Sequence, residues 1–182
     1  IGAGASGLIC GCLLSQNGYE VKIYERNENV GGVWLYSKEG VLYDSLVTNL
    51  PKTIMQFSDK YPFIGNSDNS FVSHKEVLNY LNSFFESNNL NKLCKFSSDV
   101  KNIEKLGKKW NVEYTYNSTD YKEYFDSVII CNGHYEEPYI PDIKNISLFK
   151  GKCIHSSKYD SHLDTEFIDK NVMVIGAGPS AS

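Results

Sequence analysis

Two glycine-rich turns limit most strongly what this chain can fold into. It opens Ile1-Gly2-Ala3-Gly4-Ala5-Ser6-Gly7 and closes Gly176-Ala177-Gly178-Pro179-Ser180-Ala181-Ser182, roughly 170 residues on. Both follow the G-x-G-x-x-G/A spacing of a strand–turn–helix unit. The first glycine allows a tight turn, the second lets main chain approach a pyrophosphate, and the third lets helix and strand pack closely. The helix start then offers free N–H groups and a positive dipole end to phosphate. Only Ile1 represents the strand before the first motif, whereas Asn171-Val172-Met173-Val174-Ile175 precedes the second. Both ends cut through such a turn, so the sequence is expected to be a fragment of a longer chain, and a missing targeting signal says nothing about location.

Between the motifs, strand and helix signals alternate. Residues 6–17 read as a helix with apolar Leu8, Ile9 and Leu13 and small Gly11, stopped by Asn17-Gly18. Tyr19 to Glu25 alternates as a strand. Residues 27–51 read as loop, with Gly31-Gly32 and Asn49-Leu50-Pro51. Ser73 and Glu76 form a capping box opening a helix whose buried stripe is Val77, Leu78, Tyr80, Leu81, Phe84 and Phe85. Residues 110–116 and 121–131 read as strands joined by a hairpin turn at Asn117-Ser118-Thr119-Asp120. The apolar runs at 128–131 and 171–175 predict buried parallel strands. Together these predict an α/β fold: a Rossmann-like domain over residues 1–159, connector included, and the start of a second dinucleotide domain over 160–182.

Composition narrows the class. With 41% hydrophobic and 22% charged residues, and 13 Tyr, 9 Phe and 2 Trp, the chain can build a core and is not a disordered tail. No apolar run reaches the roughly 18 residues of a membrane span. A net charge of -4 argues against nucleic-acid binding. The 5 cysteines (Cys10, Cys12, Cys94, Cys131, Cys153) include no C-x-x-C and fit neither a disulfide framework nor a zinc site. Cys10 and Cys12 lie on different faces of their helix, so packing is expected of them. His74, His134 and His162 lack metal-ligand spacing and are expected at the surface. The triplets at Asn117 and Asn145 match glycosylation sequons without implying a secretory route.

Glu25 ends the strand after the first motif, where a carboxylate can accept hydrogen bonds from an adenosine ribose. Gly31-Gly32 follows at a spacing that returns the chain toward the same ligand. Two dinucleotide motifs so far apart suggest two nucleotides, a flavin near the first and a nicotinamide dinucleotide near the second, hence a reductase or an oxygenase.

Five segments, in order, resemble the flavin-containing monooxygenase family, of the dimethylaniline N-oxygenase type. Gly2 to Gly7 resembles its FAD fingerprint. Glu25-Arg26 with Gly31-Gly32-Val33-Trp34 resembles its E-R…G-G-x-W segment. Thr48-Asn49-Leu50-Pro51-Lys52 resembles its T-N-x-P-K loop. Phe149, Gly151, His155 and Tyr159 match F-x-G-x-x-x-H-x-x-x-[YF], and Gly176 to Ala181 resembles its NADPH fingerprint. The resemblance implies FAD contacts at Gly2, Gly4, Ala5, Ser6, Gly7, Glu25, Arg26, Gly32, Val33, Trp34, Thr48 and Asn49, with Gly133 and, by analogy with related flavoproteins, Val100 beside them. It implies NADPH contacts at Gly176, Gly178, Ser180 and Ala181.

It further implies NADPH reduction of FAD, uptake of O2 as a C4a-hydroperoxide, and oxygen transfer to the nitrogen or sulfur of a small lipophilic amine or sulfide. Asn49 is the implied catalytic side chain, and His155 the holder of the inter-domain connector. The Baeyer–Villiger branch usually carries Trp where this chain has Tyr159. Disulfide reductases need a redox cysteine pair that is absent. A non-catalytic FAD-binding remnant is the third alternative, and the 182 residues alone are expected to show no NADPH-dependent oxygenation. Family members differ in membrane attachment, and an anchor would lie C-terminal to this sequence.

Overall fold

The computed structural model describes every residue except Glu39, 65–67, Glu136, Thr165 and 179–182. It divides into two compact units, Ile1–Leu35 with Val47–Gly133, and Tyr36–Leu46 with His134–Ser182.

The first unit is built on a small parallel sheet. Helix α1 (Ala5–Gln16) follows the glycine turn and leads into β1 (Ile23–Tyr24). β1 pairs in parallel with β2 (Cys94–Lys95), Ile23 opposite Cys94. On its other side, Gly2 N–H donates to Tyr24 O at 2.8 Å. Ile1 N donates to Ile129 O at 2.7 Å and Cys131 N–H to Ile1 O at 2.8 Å, the alternation of a parallel pair. The order across the sheet is therefore 94–95, 23–24, 1–2, 129–131, with the glycine turn near its middle.

Helices cover one face. Gly7, Leu8, Gly11 and Cys12 are the buried side of α1, and a Cβ on Gly11 would lie 2.5 Å from Ile23 Cδ1, so glycine sets how closely helix and strand approach. α2 is the single turn Lys52–Met55. α3 (His74–Ser87) carries both arms of the Ser73–Glu76 capping box, buries His74, and places Val77, Tyr80, Leu81 and Phe84 in one core cluster with Leu8, Ile23 and Leu90. The other face receives an antiparallel meander, β3 (Ser98–Leu106), β4 (Lys109–Tyr116) and β5 (Thr119–Phe125). Adjacent strand residues point to opposite faces. Ile23 therefore joins the helical core, while Tyr24 packs 4.6 Å from the Tyr114 ring in the meander cluster.

Several expectations are corrected. The strand expected over 19–25 is laddered only at Ile23–Tyr24, because β2 supplies just two pairing residues. The hairpin turn is shorter than expected. Asn117 and Ser118 alone turn the chain, both with positive φ (48° and 59°), and β5 starts at Thr119. β5 ends at Phe125, so 121–131 is not one strand. Residues 128–131 are bonded to Ile1 on one side, but Ile129 and Ile130 are exposed. His74, expected at the surface, is 1% exposed, since it lies on the side of α3 that also buries Val77 and Leu81.

Among the described residues, the regular elements of the second unit are the single turns Ile146–Leu148 and Ser156–Lys158. The expected buried strand at 171–175 is exposed, and no ladder is formed there among the described residues. An apolar run needs neighbouring main chain before it can become a buried strand.

Candidate cofactor site

The first glycine turn is shaped by close main-chain approaches that exclude side chains. Gly2 has φ +98°, and a Cβ there would lie 2.5 Å from Cys131 O. A Cβ on Gly7 would lie 1.9 Å from Gly2 O. Gly4 faces Gly32: a Cβ on Gly32 would come 2.9 Å from Gly4 Cα, and one on Gly4 3.4 Å from Gly32 Cα. Gly31 N–H donates to Ala3 O at 3.0 Å and locks the two segments together.

α1 begins at this junction with Gly4 as its N-cap, no side-chain cap, and no acidic residue in its first turn. Its first N–H groups lack intrahelical acceptors and carry the positive dipole end. A side-chain-free approach beside an uncapped helix start fits a pyrophosphate. Of the residues expected here, Gly2, Gly4, Ala5, Ser6, Gly7 and Gly32 are brought together.

Glu25 lies behind the turn and is 5% exposed. Its Oε2 accepts Ala3 N–H at 2.7 Å and its Oε1 accepts Asn27 N–H at 2.8 Å. The carboxylate thus ties the glycine turn to the end of β1. Each oxygen keeps a second lone pair for a ribose hydroxyl. Ala3 was not legible as a site residue. Its N–H serves Glu25 and its C=O serves Gly31, and main-chain roles leave no mark on side-chain type. Arg26 and Val33 are exposed, and Trp34 is half-buried against the helical core.

The second segment is a loop pinned on both flanks. Thr48, 6% exposed, donates through Oγ1 to Leu50 O at 2.9 Å and accepts Val72 N–H at 3.1 Å. Thr48 N–H donates to Val72 O at 2.8 Å and Lys52 N–H to Ser70 O at 2.7 Å. Pro51, extended, starts α2. Asn49 is left exposed at the tip, a side-chain amide on a fixed loop. Both segments share α3 as support: Leu78 Cδ1 would meet a Cβ on Gly31 at 2.6 Å, and Ser73 bridges to Val47.

Val100 lies in β3 beside the bulge at Val100/Asn102. It lines a cavity of about 470 Å³ with Ile1, Lys101, Asn102, Ile103, Ile130 and Asn132. Gly133, φ +78°, ends the unit next to it in sequence. In the second unit Gly176 has φ +137°, and Gly176 and Gly178 are exposed. Ser180 and Ala181 lie outside the described residues. His155 has a local structural role: its Nδ1 accepts Ser157 N–H at 3.1 Å and caps the turn 156–158.

The parallel sheet with its uncapped, glycine-lined helix start defines an α/β protein of the dinucleotide-binding class. The particular family follows from comparison. Residues 1–182 match the flavin-binding monooxygenase-like family, and the chain belongs to it. Among curated proteins it is 36% identical to the flavin-containing monooxygenase FMO GS-OX2 of Arabidopsis thaliana, over 97% of this chain and 43% of that protein. Among solved structures, the S-allyl-L-cysteine S-oxygenase from Allium sativum matches at 33% identity and a TM-score of 0.81, over 87% of this chain and 41% of that one. The OTEMO complex with FAD and NADP matches at 25% identity and a TM-score of 0.65, covering 88% of this chain and 30% of that one. The chain thus spans under half the length of these relatives. Among the described residues, no helix is long and apolar enough to cross a membrane.

Proposed function

We propose that this chain is the flavin-binding part, with the start of the nicotinamide-dinucleotide part, of an NADPH- and O2-dependent monooxygenase that oxygenates the sulfur of small-molecule sulfides. The observation that carries the reading is the contact of Gly4 with Gly32 at the uncapped start of α1. The sulfur assignment is supported by the related protein named as an S-oxygenase. Bound FAD supplies the hydride acceptor and the oxygen-transferring centre, which the chain must orient and shield from water.

In this reading the chain's own residues divide the work. The first-turn N–H groups of α1 receive the pyrophosphate, and Gly2, Gly4 and Gly7 keep side chains out of its way. Glu25 accepts the ribose hydroxyls on its remaining lone pairs while holding Ala3. Arg26, Gly32, Val33 and Trp34 would contact the FAD, as would Gly133, and Val100 would present main chain to its adenine. Thr48 holds the loop from which the Asn49 amide donates a hydrogen bond toward the reacting oxygen. Gly176, Gly178, Ser180 and Ala181 begin the NADPH-binding region, which opens at about residue 160.

The test uses the full-length protein with a dialkyl sulfide, a tertiary amine and a cyclic ketone, following NADPH oxidation and product. Sulfoxide equal to NADPH consumed is expected. N-oxide from the amine alone would move the assignment to nitrogen. Ester from the ketone alone would move it to Baeyer–Villiger chemistry. Protein that retains no flavin would overturn the whole reading. Asn49→Ala is expected to keep flavin content and lower product formation about 100-fold, the usual loss for one well-placed hydrogen-bond donor.

A further inference from the structure

Between Leu35 and Val47 the chain leaves the first unit and returns to it, and Tyr36–Leu46 belongs to the second. This excursion starts just after Gly32–Trp34 and ends just before Thr48 and Asn49. It therefore joins the two loops assigned above to the flavin. Its hold within the second unit is specific. Tyr36 Oη donates to Asp160 Oδ1 at 2.5 Å. Asp44 N–H donates to Asp160 O at 2.9 Å. The Tyr43 ring lies 5.7 Å from the Tyr159 ring, which lies 5.8 Å from Phe167. The turn 156–158, capped by His155, leads directly into Tyr159 and Asp160. The final Tyr of the F-x-G-x-x-x-H-x-x-x-Y motif and the residue after it are thus engaged with the excursion.

Little slack separates this clasp from the two loops. One residue, Leu35, lies between Tyr36 and Trp34, and three, residues 45–47, lie between Asp44 and Thr48. At roughly 3.3–3.6 Å per extended residue, so short a connection passes a displacement on and cannot absorb a large one. The geometry points to Tyr36–Leu46 as a tether: Tyr36, Tyr159 and Asp160 are positioning residues that set how far the Gly32–Trp34 and Asn49 loops can move. The hydrogen bond to Asp160 holds the Tyr36 phenol up at about 12, so the donor stays protonated throughout the neutral range. The functional meaning of the tether rests on the flavin reading above.

The test is amide hydrogen exchange on the full-length, FAD-loaded protein carrying Tyr36→Phe, which keeps the ring and removes only the donor. Exchange is expected to rise roughly fivefold in peptides covering 32–35 and 46–50, the scale of one lost hydrogen bond, with α1 and α3 unchanged. Asp160→Asn, which keeps an acceptor oxygen, is expected to exchange close to wild type, and Asp160→Ala to match Tyr36→Phe. Faster exchange confined to 37–44 would overturn the tether, as would no change anywhere. Flavin absorbance of the same samples reads the other question. Variants and wild type alike failing to hold FAD would sink the flavin reading, while the exchange pattern still decides the tether.

Discussion

Residues 128–131 and 172–175 are chemically close to the same stretch of chain, four apolar residues running toward a glycine, yet they fare differently. The first bonds to Ile1 from two of its peptides, and Val128 packs on the meander cluster. The second is 60–78% exposed throughout. An apolar run nominates a strand, but only main chain from elsewhere, with its unpaired N–H and C=O groups, makes it one. The same divide separates the glycine motifs. In the first unit each glycine of the turn answers to a main chain pressed against it. In the second, no described residue beyond its chain neighbours comes within 4 Å of where a Gly178 Cβ would be.

That contrast can be broken most directly at the glycines. Gly7→Ala is expected to cost about 3 kcal/mol or more and to abolish flavin retention, because its Cβ must displace the Gly2 carbonyl. Gly178→Ala is expected to stay within about 0.5 kcal/mol. Denaturant unfolding and flavin absorbance per protein measure both, and equal losses would erase the distinction. Next come the apolar side chains. Leu81→Ala, 2% exposed in the helical core, is expected to cost about 2–5 kcal/mol. Val174→Ala, 65% exposed, is expected within about 0.5 kcal/mol. A large loss at Val174 would mean that the second unit buries it in solution.

The smallest effect concerns thiols and sharpens the comparison without unfolding anything. Burial, and then the Glu25 charge, push the Cys94 thiol up to about 12. A raised pKa leaves less thiolate at any pH below it, and thiolate is the reactive form. Cys153 is exposed. Alkylation at pH 8 with peptide mapping is expected to label Cys153 first. The Cys94 rate should climb about tenfold per pH unit while the fold holds. Early labelling of Cys94 would mean that the first unit opens around β2.

Much of the first unit was legible before any coordinates. The capping box at Ser73 and Glu76, the helix after Gly4 and the hairpin around Asn117 are local: the interacting residues lie within a few positions of each other, so spacing alone specifies them. The glycine fingerprint was legible for a related reason, since glycine is the one residue whose absent side chain is itself the signal. His74 was misread because its burial depends on which face of α3 meets the core, a matter of packing between distant segments.

The candidate site divides the same way. Residue type and spacing marked Gly4, Glu25, Gly32 and Asn49 without saying what surrounds them. Only the folded chain showed that Gly4 and Gly32 face each other, that both Glu25 oxygens are already engaged by Ala3 and Asn27, and that Thr48 clamps the Asn49 loop to Val72. It alone turned the tail of the Phe149–Tyr159 motif into a clasp on Tyr36 and Tyr43. The sequence by itself therefore determined the class of fold and the residues available for chemistry, because these depend on local preferences and side-chain type. Their partners were decided by tertiary structure, because a hydrogen bond or a close main-chain approach between residues tens of positions apart leaves no periodicity along the chain to read.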